Sequence, residues 1–238
     1  MRARHMDPTE NLALDFLRHS GYRDIVYEPD GNVPPDFLLD NRIAVEVRRL
    51  NQHANVSGAI RGLEVTEIPL LDGMRSLLGD MGAPVAGRSW WVSFDFKRPV
   101  KKWTALRPAL REWLRSLRDG EPGAPLELSI ANFAATARPR QGESDKAFAL
   151  ASMGDDDSGG WLLHELRRNA EICIEEKTRK IAERRHLYDE WWLILVDHIG
   201  YGLTPFEREL MNRQPPVEHT WQRVILVNPL DPTRWLEL

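Results

Sequence analysis

At 238 residues the chain is long enough for one sizeable domain or two small ones. Its 42% hydrophobic and 29% charged residues are those of an ordinary globular protein, and a formal net charge of −4 excludes the broad basic surface of a dedicated DNA-binding module while leaving room for a locally basic cleft. Cys173 stands alone, which excludes an intrachain disulfide and a cysteine-based zinc site. No apolar run is long enough to span a bilayer, and the opening MRARHMDPTE lacks the apolar core of a secretory signal, so a cytoplasmic location is expected.

Taken in order, Asp7-Pro8-Thr9-Glu10 predicts a helix start: Asp as N-cap, Pro in the first position and Glu three residues after the cap. Leu12, Ala13, Phe16 and Leu17 form its apolar stripe and Gly21 ends it. Asp24 to Glu28 reads as a strand and Asp30-Gly31-Asn32 as a turn. Val33 to Leu50, VPPDFLLDNRIAVEVRRL, has two apolar runs around a polar Asp40-Asn41-Arg42 turn and predicts a hairpin. Asn51 to Gly62 is polar and reads as a loop.

Leu63 to Leu78 has helical spacing from Ile68 onward, which puts Pro69 in a first turn. Ser89 to Phe96 alternates as a strand does, and Trp103 to Leu117 is helical, with Pro108 expected near its true start. Leu126 to Ala134 reads as one strand, and Phe148 to Met153 is short and apolar. The run Gly154 to Gly160 lacks the alternating acids of a calcium loop and reads as a solvated turn capping the next helix. That helix, Trp161 to about Tyr188, is the longest, and its inward stripe of Ala170, Ile174 and Ile181 is interrupted by Lys177. Trp191 to Asp197 and Arg223 to Asn228 are continuous apolar runs, as in strands buried on both faces. Thr204-Pro205 caps a short helix between them, and Trp235 to Leu238 is a last short strand. The order of elements predicts an α/β fold with a mixed β-sheet flanked by helices.

Asp36 opens the first run of the hairpin and Glu46 interrupts the second. Residues two apart share a face of a strand, so Ala44, Glu46 and Arg48 point one way and Ile43, Val45 and Val47 the other. A carboxylate in so apolar a strand is costly to bury without a partner or a metal. Asp36 and Glu46 face each other only if the connection is three residues, Asp40 to Arg42; a two-residue loop sets Asp36 opposite Val45.

Pro35-Asp36 followed by Glu46-Val47-Arg48 resembles the PD-(D/E)XK, or restriction-endonuclease-like, superfamily. The resemblance implies a nuclease-like core covering residues 7–238 as one domain, with 81–153 a strand-helix-strand elaboration. It implies that Asp36 and Glu46 hold Mg2+ or Mn2+, with the Val47 carbonyl completing the site and Glu10 of the first helix as a further acid. The position that holds Lys in the family holds Arg48, which cannot act as a general base but can hold a phosphate, or can instead pair with Glu46. Lys177 on the long helix is the substitute cation, with Lys180 beside it and Gln52 six residues after Glu46 as substrate contacts; the bland alternative has Lys177 snorkelling to solvent and Lys180 pairing with Glu176. The implied activity is hydrolysis of nucleic-acid phosphodiesters, DNA before RNA, by an endonuclease or exonuclease, with a homodimer allowed. The alternative left open is a catalytically inactive nuclease-like fold serving as a binding or assembly module. The histidines have no paired metal spacing, and the Trp residues read as core.

Overall fold

The computed structural model describes residues 6–56, 58–120, 123–142 and 144–238. In chain order the elements are α1 (Pro8–His19), β1 (Ile25–Tyr27), β2 (Phe37–Leu39), β3 (Ile43–Leu50), β4 (His53–Val56), β5 (Ala59–Gly62), α2 (Glu64–Asp80), β6 (Trp90–Phe96), α3 (Trp103–Asp119), β7 (Glu127–Ile130), β8 (Phe133–Pro139), β9 (Phe148–Asp155), α4 (Leu162–Ile181), a 3-10 turn (Arg185–Leu187), β10 (Glu190–Asp197), α5 (Pro205–Asn212), β11 (Arg223–Val227) and β12 (Trp235–Glu237). They form two compact units: Met1–Gln52 with Gly160–Leu238, and His53–Gly159. The second unit contains the 81–153 elaboration and also β4, β5 and α2 before it.

The first unit is a mixed sheet in the order β1-β2-β3-β10-β11-β12. The strands β1 to β3 are antiparallel neighbours, β3, β10 and β11 run parallel, and β12 returns antiparallel at the far edge. A parallel β3–β10 pair cannot be joined by a tight turn. The chain between them includes the second unit and then α4, which lies against β3 and β10. Strand β10 is buried from Trp191 to Asp197, as its unbroken apolar run requires. On one face, Ala13, Phe16 and Leu17 of α1 pack on Ile43, Val45, Val47, Ile194 and Ile225. On the other, Leu163, Leu166, Ala170, Cys173 and Ile174 of α4 pack on Ala44, Leu50, Trp191, Leu193 and Leu195. The period of two along β3 therefore delivers Glu46 to the α4 face. The capping box Asp7/Glu10 forms as the sequence predicts, and the Thr204 cap of α5 is completed into a box by Glu207.

The second unit has the β4–β5 hairpin and a four-stranded sheet in the order β7-β8-β6-β9. Helices α2 and α3 pack on one face of that sheet, burying Val92, Phe94, Phe96, Phe133 and Phe148 with Met74, Leu110 and Trp113.

Several local expectations are corrected here. The polar 51–62 segment is not a loop but the β4–β5 hairpin, with residue 57 outside the described residues. Pro69 and Pro108 both lie inside helices that begin five residues earlier, at Glu64 and Trp103. An interior Pro costs about 3 kcal/mol. The buried face of α3 (Leu106, Leu110, Trp113, Leu114, Leu117) offsets that loss through burial worth about 1.5–3 kcal/mol for each large side chain. Residues 126–134 are not one strand: Ala131 and Asn132 turn the chain between β7 and β8, with Asn132 at φ +59°. The long helix stops at Ile181 rather than near Tyr188. The acids of 154–160 are not a solvated cap. Asp155 ends β9, and its carboxylate meets the buried Arg98 guanidinium at 2.6 Å, while helix α4 has no side-chain cap at Trp161.

Candidate active site

The hairpin register is the one that brings the two acids together. Leu39 pairs with Ile43, Leu38 with Ala44 and Phe37 with Val45, so the connection is the three-residue Asp40–Arg42 loop. Asp40 and Asn41 adopt φ of +48° and +53°, a conformation that Asp and Asn tolerate better than other side chains. One step beyond Phe37–Val45, Asp36 comes level with Glu46. The Asp36 backbone N–H donates to the Val45 carbonyl at 3.0 Å, and the Val47 N–H donates to Asp36 Oδ2 at 2.7 Å. Asp36 is thus held by main-chain bonds at the start of its strand, with its second carboxylate oxygen free of that role.

Glu46 is wholly buried. Helix α4 supplies the cations that make this tolerable. Lys177 Nζ lies 2.5 Å from Glu46 Oε2 and 3.7 Å from Asp36 Oδ2, and Lys180 Nζ lies 3.1 Å from the same Glu46 oxygen. Both ammoniums therefore sit on Oε2. The other oxygen, Oε1, is buried and has no hydrogen-bond partner among the described residues. A buried carboxylate oxygen without a donor is costly, and such an atom marks a place where a cation or a donor can bind. Burial pulls the Lys180 pKa down, but Glu46 and then Asp36 outweigh it and leave the ammonium above the ordinary lysine value.

Arg48 does not pair with Glu46. Its guanidinium reaches Glu176 at 3.3 Å, and the alternative Glu176–Lys180 pair along the helix does not form because Lys180 turns to Glu46. Lys177 does not snorkel outward either: its side chain is 8% exposed. Arg48 Nε is buried without a hydrogen-bond partner among the described residues. Cys173 lies close by, and burial pushes its thiol up to about 11 despite Arg48 and Lys177, so it is no nucleophile near neutral pH.

Asp36, Arg48, Lys177 and Lys180 line a cavity of about 440 Å3, together with Glu10, Glu28, Arg49 and Glu176. Glu10 keeps its capping role, accepting from the Asp7 N–H at 2.9 Å, and also accepts from the Tyr27 hydroxyl at 2.8 Å. Gln52 follows the end of β3 by two residues and does not line the cavity. Glu28 had no signal in the sequence, Glu176 entered it only as a helix partner for Lys180, and Arg49, on the strand face opposite Arg48, had no site role there. Arg184 is a further unforeseen element. It donates to the Pro34 carbonyl at 2.7 Å and pairs with Asp30, tying the segment before β2 to the end of α4.

Among the described residues no group of three or more His, Cys, Asp or Glu side chains could hold a metal ion. The donor set is instead two carboxylates, Asp36 and Glu46, and it suits Mg2+ or Mn2+, which bind through one or two carboxylates and keep several waters. The unpartnered Glu46 Oε1 is the atom that favours this fit; Asp36 lines the cavity and Glu46, wholly buried, does not. No helix is long and apolar enough to cross a membrane among the described residues. Comparison with protein-family models, with curated proteins and with solved structures gives no match.

Proposed function

We propose that the protein is a metal-dependent phosphodiester hydrolase of the nuclease type, acting on nucleic acid through Asp36, Glu46 and Lys177, on a restriction-endonuclease-like core. The observation that carries this reading is the convergence of two carboxylates from adjacent strands on one buried lysine. Asp36 and Glu46 would hold the ion, and the Val47 carbonyl would complete the set. A bound Mg2+ polarises a phosphate oxygen and lowers the pKa of a water it holds.

The chain's own groups supply the rest. Asp36 and Glu46 carry two negative charges and Lys177 and Lys180 two positive ones. Around this set the cavity adds Asp7, Glu10, Glu28 and Glu176 against Arg48 and Arg49, so a divalent ion brings the whole to neutrality and relieves the repulsion that a phosphodiester anion would meet. Lys177, fixed by its two carboxylates, is placed to stabilise charge that develops on a phosphate. Lys180, about half exposed, lies at the mouth and can exchange its contact with Glu46 for one with substrate. Arg48 stays protonated at any working pH, so its role is to hold a phosphate and not to take a proton.

A second reading, a nuclease-like fold that binds without cleaving, draws on Arg48 in the position where the family has Lys. A titration of Mg2+ or Mn2+ against cleavage of single-stranded and duplex DNA and RNA separates the two. Cleavage that requires the ion and disappears in Glu46→Ala and in the isosteric Glu46→Gln, with circular dichroism showing the fold retained, supports hydrolysis. Cleavage unchanged in Glu46→Ala removes this site from consideration. Retention of nucleic acid without cleavage under every ion condition favours the binding module.

A further inference from the structure

The second unit covers one face of its sheet β7-β8-β6-β9 with α2 and α3, and no element of that unit among the described residues covers the other. That open face is formed by the alternate residues of each strand. Trp91 lies opposite Arg138, Ser93 opposite Thr136 and Asp95 opposite Ala134. On the other side of β6, Ser93 lies opposite Ser152 and accepts a hydrogen bond from its hydroxyl at 2.9 Å. The result is a shallow groove of about 700 Å3.

Its chemistry is uneven along the strands. At one end Trp91 is 40% exposed, and the Arg140 guanidinium lies 4.6 Å from its ring centroid. Arg138 stands directly across from Trp91. Among the described residues neither Arg138 nor Arg140 has a carboxylate partner; Arg140 donates to the Ser144 hydroxyl at 3.0 Å. Of the nearby acids Asp95 is set apart from this end, while Glu127 and the exposed Asp145, which follows the Arg140 partner Ser144, border it. Asp95 is four residues along β6, about 13 Å at strand rise, beyond the roughly 8 Å over which exposed charges act at physiological salt. Glu127 pairs in register with Thr136, about 7 Å along from Arg138 on the edge strand, and bounds the basic patch on that side.

We propose that this face binds a single-stranded nucleic-acid segment, with a base stacked on the Trp91–Arg140 pair, phosphates held by Arg138 and Arg140, and the hydroxyls of Ser93, Thr136 and Ser152 as sequence-neutral contacts. An exposed aromatic ring beside unpaired guanidiniums is the combination that holds unpaired bases and the phosphates between them. A folded protein partner fits less well, because Trp91 and the half-buried Leu150 are the large apolar side chains in the groove, short of the apolar centre that such interfaces bury. The face does not depend on the hydrolytic reading of the cavity in the first unit, since its residues all belong to His53–Gly159.

The test uses the full chain and a labelled oligothymidylate of about fifteen nucleotides, long enough for one such site, in EDTA so that cleavage cannot intervene. Fluorescence anisotropy should show binding whose log affinity falls with log salt with a slope of about −1.4, as for two phosphates on a single strand. Trp91→Ala should weaken it tenfold or more and Trp91→Phe should restore most of the loss. Arg138→Ala with Arg140→Ala should bring the salt slope close to zero. These side chains are exposed or half-exposed, so circular dichroism and the unfolding midpoint should match the parent. Absence of binding, or binding equally tight to a blunt duplex, overturns the proposal. So does binding lost in Lys180→Ala but kept in Trp91→Ala, which would put the strand at the cavity instead; cleavage lost in Glu46→Ala with this binding intact leaves both readings standing.

Discussion

The ammonium of Lys177 and the carboxylate of Glu46 meet at 2.5 Å, with the lysine side chain 8% exposed and the glutamate side chain not exposed at all. They come from the last turns of α4 and the middle of β3, at an interface built mainly from apolar residues. Neither charge could be buried in this sheet–helix interface without the other, because the cost of removing an ion from water is met only by a close, hydrogen-bonded partner.

This coupling predicts an asymmetric response to substitution. Lys177→Met leaves Glu46 with the half-exposed Lys180 as its remaining ammonium and should destabilise the chain by about 3–5 kcal/mol. Lys177→Met with Glu46→Leu should recover most of that loss, since replacing both charges by apolar groups is close to neutral. Lys180→Ala should cost about 1 kcal/mol or less, as for an exposed pair. Urea unfolding of the four proteins decides it; a double variant no more stable than Lys177→Met would show that the two side chains are not each other's essential partners.

Arg98 makes a second prediction, in the other unit. Its guanidinium lies 2.6 Å from Asp155 and 3.2 Å from Asp157, and donates to the Leu63 carbonyl at 2.7 Å. Burial opposes its charge, but Asp155 and then Asp157 outweigh burial and raise its pKa. Arg98→Met should leave Asp155 buried without its cation, costing about 3–5 kcal/mol, and Arg98→Lys should recover little, because an ammonium cannot serve the two Asp155 oxygens and Leu63 together. Hydrogen exchange should report the loss in β6 and β9 before β3 and β10; equal loss of protection in all four strands would contradict it.

What could be read from the residues, and what could not, follows the range of the interactions. The α/β class and the hairpin were legible because they depend on neighbours: a polar loop between two alternating runs, with Asp40 and Asn41 able to take positive φ. The register was left between a two-residue and a three-residue loop, and the pairing of Leu39 with Ile43 decides it. Lys177 was visible as a charge in an apolar stripe. Its partner was not, because Glu46 is 131 residues away and Arg48, Lys180 and Glu176 were equally plausible members of the pairings. A separation of 57 residues likewise hid Arg98 from Asp155, so that three consecutive acids read as a solvated turn. The β7–β8 hairpin was missed for a different reason. Apolar residues continue through Leu128, Ile130 and Phe133, and the sole local mark of the turn is Asn132.

The last prediction concerns acid. His198 follows β10, where burial and then the nearby Arg49 hold its pKa down at about 4, against an ordinary value near 6.5. The neutral imidazole is therefore the native form. Between pH 6.5 and 4 the unfolded chain takes up a proton at this position that the folded chain refuses, so unfolding is favoured as pH falls through that window. The contribution is present in full above about pH 6.5 and lost progressively toward pH 4. His198→Gln, which cannot titrate, should lose less stability between pH 7 and pH 4.5 than the parent chain, while carboxylate effects common to both cancel in the comparison. Urea midpoints at the two pH values measure this difference. Parallel losses in the two proteins would mean that the folded chain accepts the proton as readily as the unfolded one, and that Arg49 and burial do not exclude charge from the end of β10.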